Sequence, residues 1–216
     1  DALPISLLPE LSPSEFIEQT WPHYRELNTP QAMIYYTALW LLDNLPEHSR
    51  RTLVHNDFRN GNLIIDQNGI VAVLDWEVAH IGDPMRDLGW LCTNSWRFGA
   101  SDMPVGGFGE IADLLDAYEA ESGIRIDHDE LRFWQVFGSF WWAVGCLIMG
   151  EHYRNGPDRT VERPGIARRS SECQVDCANL IIPGPVDFIE PCGDIGGGEL
   201  PTTIELLDSV VEFLRD

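Results

Sequence analysis

The sequence predicts a mostly helical α+β domain with a small β insert near its first third. Apolar residues recur at helical spacing over most of the chain. Two β-branched runs, Leu63 to Asp66 and Ile70 to Leu74, flank Asn68-Gly69, a pair that favours a tight hairpin. With 216 residues, 44% of them apolar and 23% charged, the chain can bury a sizeable core. No internal repeat divides it.

Taken in order, the spacing predicts helices over Ser12 to Thr20, with Ser12 and Ser14 as caps, and over Gln31 to Asn44 through "AMIYYTALWLLDN". Thr52 to Val54 reads as a short strand leading to the hairpin. From Pro84 onward the pattern is helical, over 84–97, 108–121, 128–153, 160–182 and 203–214, with Gly- and Pro-rich loops at 99–107 and 183–201. The whole, 1–216, is expected to be one unit: a helical lead-in (1–50), a β-bearing segment (51–91) and a helical subdomain (92–216).

The net charge is -21, from 35 acidic residues against 14 basic ones, all of them Arg. Such a surface repels nucleic acid and anionic membrane, so neither is expected as a partner. The apolar stretch from Phe133 to Met149 is interrupted by Gln135, Gly138, Ser139 and Gly145, which argues against a membrane span. The opening "DALPISLLPELS" has no basic n-region and no Met, so it reads as the interior of a longer protein rather than a signal peptide. Cys92, Cys146, Cys173, Cys177 and Cys192 match neither a disulfide framework nor zinc-ligand spacing, and read as buried thiols in a reducing cytoplasm. The oligomeric state is left open.

Chemistry concentrates in "HNDFRNGNLIIDQNGIVAVLDWE", His55 to Glu77. A carboxylate set beside a buried apolar hairpin needs a positive or well-bonded partner. If Asn68-Gly69 forms a two-residue loop, Gln67 pairs with Ile70, Ile64 with Val73, and Asn62 with Asp75. An amide oxygen and a carboxylate would then converge, and both are hard ligands suited to Mg²⁺. Asp57, on a turn with Asn60 and Gly61, would stand beside that cation, placed to accept a proton from a hydroxyl.

"VHNDFRNGNLIIDQNGIVAVLDWE" followed by "HIGDPMRDLGWL" resembles the aminoglycoside phosphotransferase and choline kinase group of small-molecule kinases. It is most similar to the branch that includes kinase-like domains of certain acyl-CoA dehydrogenases. The spacing from Asp57 to Asn62 is that of the kinase catalytic loop, and Asp75 stands where kinases carry the metal-binding Asp. The resemblance implies a protein-kinase-like C-terminal lobe and ATP and Mg²⁺ as cofactors. It casts Asp57 as the catalytic base and Asn62 and Asp75 as metal ligands. Arg59 becomes a phosphate clamp, Ile64 part of the adenine floor, His55 the brace of the loop, and Asp87 the tie to the following helix. Glu77 either assists a second metal or is solvated.

The departures narrow the reading. "HND" replaces "HRD" and no A-P-E follows, which points to a hydroxyl on a small molecule as acceptor rather than a protein. There is no Lys for the ATP phosphates, and the fifty residues before the loop read as helical, so the N-terminal β-rich lobe is expected to be missing. The alternative is a non-catalytic nucleotide- or metal-binding, pseudokinase-like module; a two-carboxylate metal hydrolase ranks last. His80 reads as a loop brace, Trp134, Trp141 and Trp142 as a core face, and the acids from Glu119 to Asp129 as a solvated run. Aminoglycosides, choline-like alcohols, sugars and hydroxyacyl thioesters all remain open as acceptors.

Overall fold

The computed structural model describes residues 7–182, except 48, 68 and 101. The helix expected over 203–214 and the loop over 183–201 lie outside the described residues. Helix α1 (Pro13–Glu26) begins with a capping box: Ser12 Oγ accepts from Glu15 N and Ser12 N donates to Glu15 Oε2. Helix α2 (Ala32–Asp43) buries Ile34, Ala38 and Leu41. Strands β1 (Thr52–Val54), β2 (Leu63–Asp66), β3 (Gly69–Val73) and β4 (His80–Gly82) follow, then helices α3 (Met85–Leu91), α4 (Ile111–Ser122), α5 (His128–Asn155), α6 (Glu162–Ala167) and α7 (Ser170–Ile181). No strand precedes Thr52 among the described residues.

The core is built around α5. Asp127 caps it, acids Asp129 and Glu130 fill its first turn, and His152 and Arg154 fill its last, which suits the helix dipole at both ends. Its Phe133, Trp134, Phe137 and Phe140 pack with Phe16 and Ile17 of α1, Met85 and Leu88 of α3, and Cys173 and Cys177 of α7. By length and composition α5 could cross a bilayer, but 67% of its most apolar stretch is buried inside the fold, as in a core helix. Gly89 lets α3 lie against it: a Cβ at that position would overlap Trp134. That approach sets the place of Arg86 and Trp90, on which the site depends. The four described cysteines are free and buried.

Two pairs of strands carry the site. β1 pairs antiparallel with β4, a strand too short for its pattern to announce itself, and this puts Val54 opposite His80. The β2–β3 hairpin corrects the expected register. Leu63 pairs with Val73, Ile64 with Ala72, and, beyond an irregularity after Ile64, Ile65 with Ile70 and Asp66 with Gly69. Asn62 therefore sits opposite Leu74, whose N donates to the Asn62 carbonyl at 2.8 Å, and not opposite Asp75. Nor is the hairpin buried. Ile64, Ile65, Ile70 and Val71 are each about half exposed or more. Without a buried face, the apolar pattern does not pin the register, and the bulge absorbs the slip.

Two expected helices are divided. The segment 84–97 stops at Leu91, where Thr93 Oγ1 donates to the Gly89 carbonyl and its own backbone turns extended before a 3₁₀ turn at Asn94–Trp96. The segment 160–182 breaks between α6 and α7, after Pro164-Gly165, both poor helix formers.

Candidate active site

The loop from His55 to Asn62 is tied down from below by α3. The Asp87 carboxylate accepts the backbone N–H of His55 (2.8 Å) and of Asn56 (2.7 Å). Burial raises the Asp87 pKa by more than these two donors lower it. Asn56 holds a left-handed backbone (φ 69°), one that Asn tolerates better than most residues. Its Oδ1 accepts from Arg86 Nε at 2.8 Å. Arg86 is fully buried, with its guanidinium over Trp90 (4.7 Å), Phe137 and Trp141 (both 5.1 Å). Burial pushes its pKa down to about 10, which leaves it charged at neutral pH beside Asp87 and Asp57.

His55 locks the loop to the end of the hairpin. Its Nδ1 accepts from Asp57 N (3.1 Å), so the ring proton sits on Nε2, which donates to the Leu74 carbonyl (2.8 Å). Both ring nitrogens are satisfied in the neutral tautomer, and the contact joins the loop to the residue before Asp75.

Asp57 has its carboxylate aimed by three side chains. Oδ1 accepts from Trp90 Nε1 at 2.7 Å and from Arg59 Nε at 3.1 Å, and Oδ2 accepts from Asn62 Nδ2 at 2.7 Å. Asn62 Nδ2 also reaches the Asp57 carbonyl (2.9 Å), so the amide nitrogen is fully engaged and its Oδ1 is the atom left for a ligand. Arg59 folds back over the Trp96 ring (4.7 Å), which is possible only because residue 61 is Gly; a Cβ there would overlap the guanidinium. Asn60 holds the far side, donating to the carbonyls of Trp96 (3.2 Å) and Gly106 (2.9 Å). The arrangement suits a base that receives a proton from a positioned hydroxyl.

The other residues singled out from sequence lie on the hairpin side. Asp75 is exposed, in left-handed backbone (φ 66°), a conformation that costs a non-Gly residue energy. No hydrogen bond or ion pair holds its carboxylate among the described residues. Glu77 is exposed, and Ile64 lies half-exposed on β2. The structure thus gathers His55, Asp57, Arg59, Asn62 and Asp87 in one bonded group, with Asp75, Glu77 and Ile64 outside it. Sequence reasoning missed Trp90 and Arg86. Their only signal is the helical spacing in "MRDLGW", which cannot say that the helix faces the loop.

A cavity of about 670 Å³ adjoins the group, lined by Asn56, Trp76, Glu77, Val78, Ala79 and His80 together with side chains of α1 and α5. His80 is buried, and burial pushes its pKa down to about 4.

The phosphotransferase enzyme family matches residues 11–134. Acyl-CoA dehydrogenase family member 10 of Mus musculus is 41% identical over 150 residues, covering 63% of this chain and 14% of that protein. Acyl-CoA dehydrogenase family member 11 of Homo sapiens is 42% identical over 52 residues, covering 23% of this chain and 7% of its own length. The chain therefore spans only a small part of these relatives. A solved structure from Ralstonia eutropha, of the aminoglycoside phosphotransferase type, superposes with a TM-score of 0.68 at 23% identity, covering 80% of this chain and 56% of the other, which is a likeness of fold.

Proposed function

Because this chain belongs to the phosphotransferase enzyme family, we propose that it transfers the γ-phosphoryl group of ATP, with Mg²⁺, to a hydroxyl on a small molecule. The observation that carries the reading is the Asp57 carboxylate, aimed by Trp90, Asn62 and Arg59 and left with lone pairs for an incoming hydroxyl. Asp57 orients that hydroxyl and takes its proton as the new bond to phosphorus forms. His55 and Asp87 hold the loop still while this happens, so the acceptor oxygen meets a fixed partner.

The donor set fits Mg²⁺. No cluster of three or more His, Cys, Asp or Glu side chains suited to a metal occurs among the described residues. Mg²⁺ in kinase sites needs no such cluster, since it draws one or two protein ligands and completes its shell with water and phosphate. Asn62 Oδ1 and the unpartnered Asp75 carboxylate would hold it. Bound there, it supplies charge neutralisation on the transferred phosphoryl group. Arg59 would turn from Asp57 to the γ-phosphate, Ile64 would lie beneath the adenine, and Glu77 would border the acceptor. We place the protein in the cytoplasm, where its buried free thiols stay reduced.

The test is ATP consumption by the full-length protein against a panel of hydroxyl acceptors. Asp57→Asn should lower turnover by roughly 100- to 10,000-fold; undiminished transfer in that variant would remove the base. A second reading, nucleotide binding without turnover, draws on the absence of any Lys and on Arg59 being paired with Asp57. Calorimetry with Mg-ATP separates the two, since binding without consumption in the presence of every acceptor favours the second.

A further inference from the structure

We propose that the cavity beside the loop seats the apolar body of the phosphoryl acceptor, a neutral alcohol, and that His80 reads one polar group on it. That the bound molecule is the acceptor rests on the phosphotransferase reading above. At about 670 Å³ the cavity has the size of a small-molecule pocket, a class that runs from roughly 300 to 1,000 Å³. Leu8, Leu11 and Phe16 line it from the N-terminal part of the chain, and Trp141, Ile148 and Met149 line it from α5. Its rim touches both halves of the catalytic segment, through Asn56 next to Asp57 and through Trp76 and Glu77 just after Asp75.

Charge decides the class. The ionisable groups that line the cavity are Glu77, His23 and His80, and no Arg is among them. A polycationic acceptor needs several carboxylates, and an anionic one needs Arg or a comparable donor. One exposed Glu and two His suit a neutral molecule.

His80 supplies the second observation. Only 1% exposed, it lines the cavity with no well-formed hydrogen bond at either ring nitrogen. It packs edge-on against Phe16 at 4.6 Å. Burial, helped by the charge of Arg86, outweighs the opposing pull of the Val78 backbone and holds the ring neutral at neutral pH. Buried polar atoms without partners are rare in native structures and call for an explanation. A neutral imidazole donates with one nitrogen and accepts with the other, so it matches a hydroxyl or carbonyl rather than a full charge.

The experiment titrates linear primary alcohols of four to ten carbons into the full-length protein, following Trp fluorescence, and measures ATP consumption with the same alcohols. Each added methylene should tighten binding about fourfold until the cavity is full. Gly145→Leu projects a side chain into the cavity, and an added Cβ there meets only the Trp142 ring at an ordinary 3.4 Å. That variant should keep its melting temperature and weaken the longer alcohols at least about tenfold, the loss of one to two methylenes of contact. His80→Phe should keep the chain-length dependence and lose the preference for an alcohol over the alkyl chloride of equal length. Absence of chain-length dependence, or a Gly145→Leu variant that binds as before, overturns the inference. So does ATP consumption confined to polyols or polyamines and indifferent to Gly145→Leu, and in that case the phosphotransferase reading survives. Alcohol binding with the expected dependence but no ATP consumption with any acceptor leaves the cavity a ligand site and defeats the phosphotransferase reading instead.

Discussion

The loop from His55 to Asn62 and the hairpin segment from Gly69 to Glu77 would supply the two halves of the proposed site, and they are built in opposite ways. In the loop, Asp87 takes two backbone donors, His55 uses both ring nitrogens, and Asp57 is aimed by three side chains. Beneath it Arg86 is sealed among aromatic rings. The hairpin has a bulge, an exposed apolar surface and a carboxylate at Asp75 on left-handed backbone. The chain itself fixes the Asp57 carboxylate to hydrogen-bond tolerance. On the proposed reading, the Asp75 carboxylate would take its position from the cation it binds.

Substitutions on the two sides should therefore fail differently. Asp75→Asn should cost roughly 100- to 1,000-fold in turnover, the usual scale for losing a group that stabilises transition-state charge. Its stability should not fall, because Asn accepts left-handed backbone at least as well as Asp. A thermal melt lowered by many degrees would show that the hairpin side is structurally committed after all. Asp87→Ala should do the reverse. It orphans two backbone N–H groups and leaves Arg86 without its nearest counter-charge, at a cost of about 3–5 kcal/mol by chemical denaturation. An Asp87→Ala protein of unchanged stability would mean that the loop does not hang from α3.

His80 sharpens the contrast through pH. Its folded pKa is about 4 against 6.5 unfolded, so between these values the unfolded chain binds the proton first. Stability from this residue is complete above pH 6.5 and is lost as pH falls towards 4, by about 3 kcal/mol. Asp83, Asp87 and Asp176, whose pKa values burial raises, act with the opposite sign, since the folded state takes up their protons first. The slope of the whole protein is thus a difference, and subtracting the curve of His80→Phe isolates one residue. Equal slopes for the two proteins between pH 4 and 6.5 would place the ring in contact with water.

What the sequence disclosed follows the range of the interactions concerned. The capping box at Ser12, the long α5 and the spacing of Asp57 and Asn62 are local, and each is readable within a few residues. The fold class follows from that local pattern, and the likeness to the Ralstonia structure agrees with it. The register was not readable, because an exposed hairpin gives alternation nothing to anchor to, and a three-residue strand such as β4 has no period. Trp90 and Arg86 were hidden for a different reason. Their roles exist only because Gly89 lets α3 lie against α5, a fact of packing that no window of sequence contains.

Gly61 gives the smallest expected effect and tests what holds Arg59 in place within the loop half. A methyl group at residue 61 meets the far end of the Arg59 side chain, which can swing away, so Gly61→Ala should change stability by no more than about 1 kcal/mol. The same swing removes Arg59 Nε from Asp57 Oδ1 and the guanidinium from Trp96. Turnover should shift a few-fold, on the scale of a partly screened ion pair worth about 1 kcal/mol. The decisive comparison is a double-mutant cycle. In an Arg59→Ala background the methyl has nothing to displace, so Gly61→Ala should then be silent in turnover. If its effect persists there, the glycine serves the backbone of the turn, and Arg59 is not held at Asp57 by the space that residue 61 leaves open.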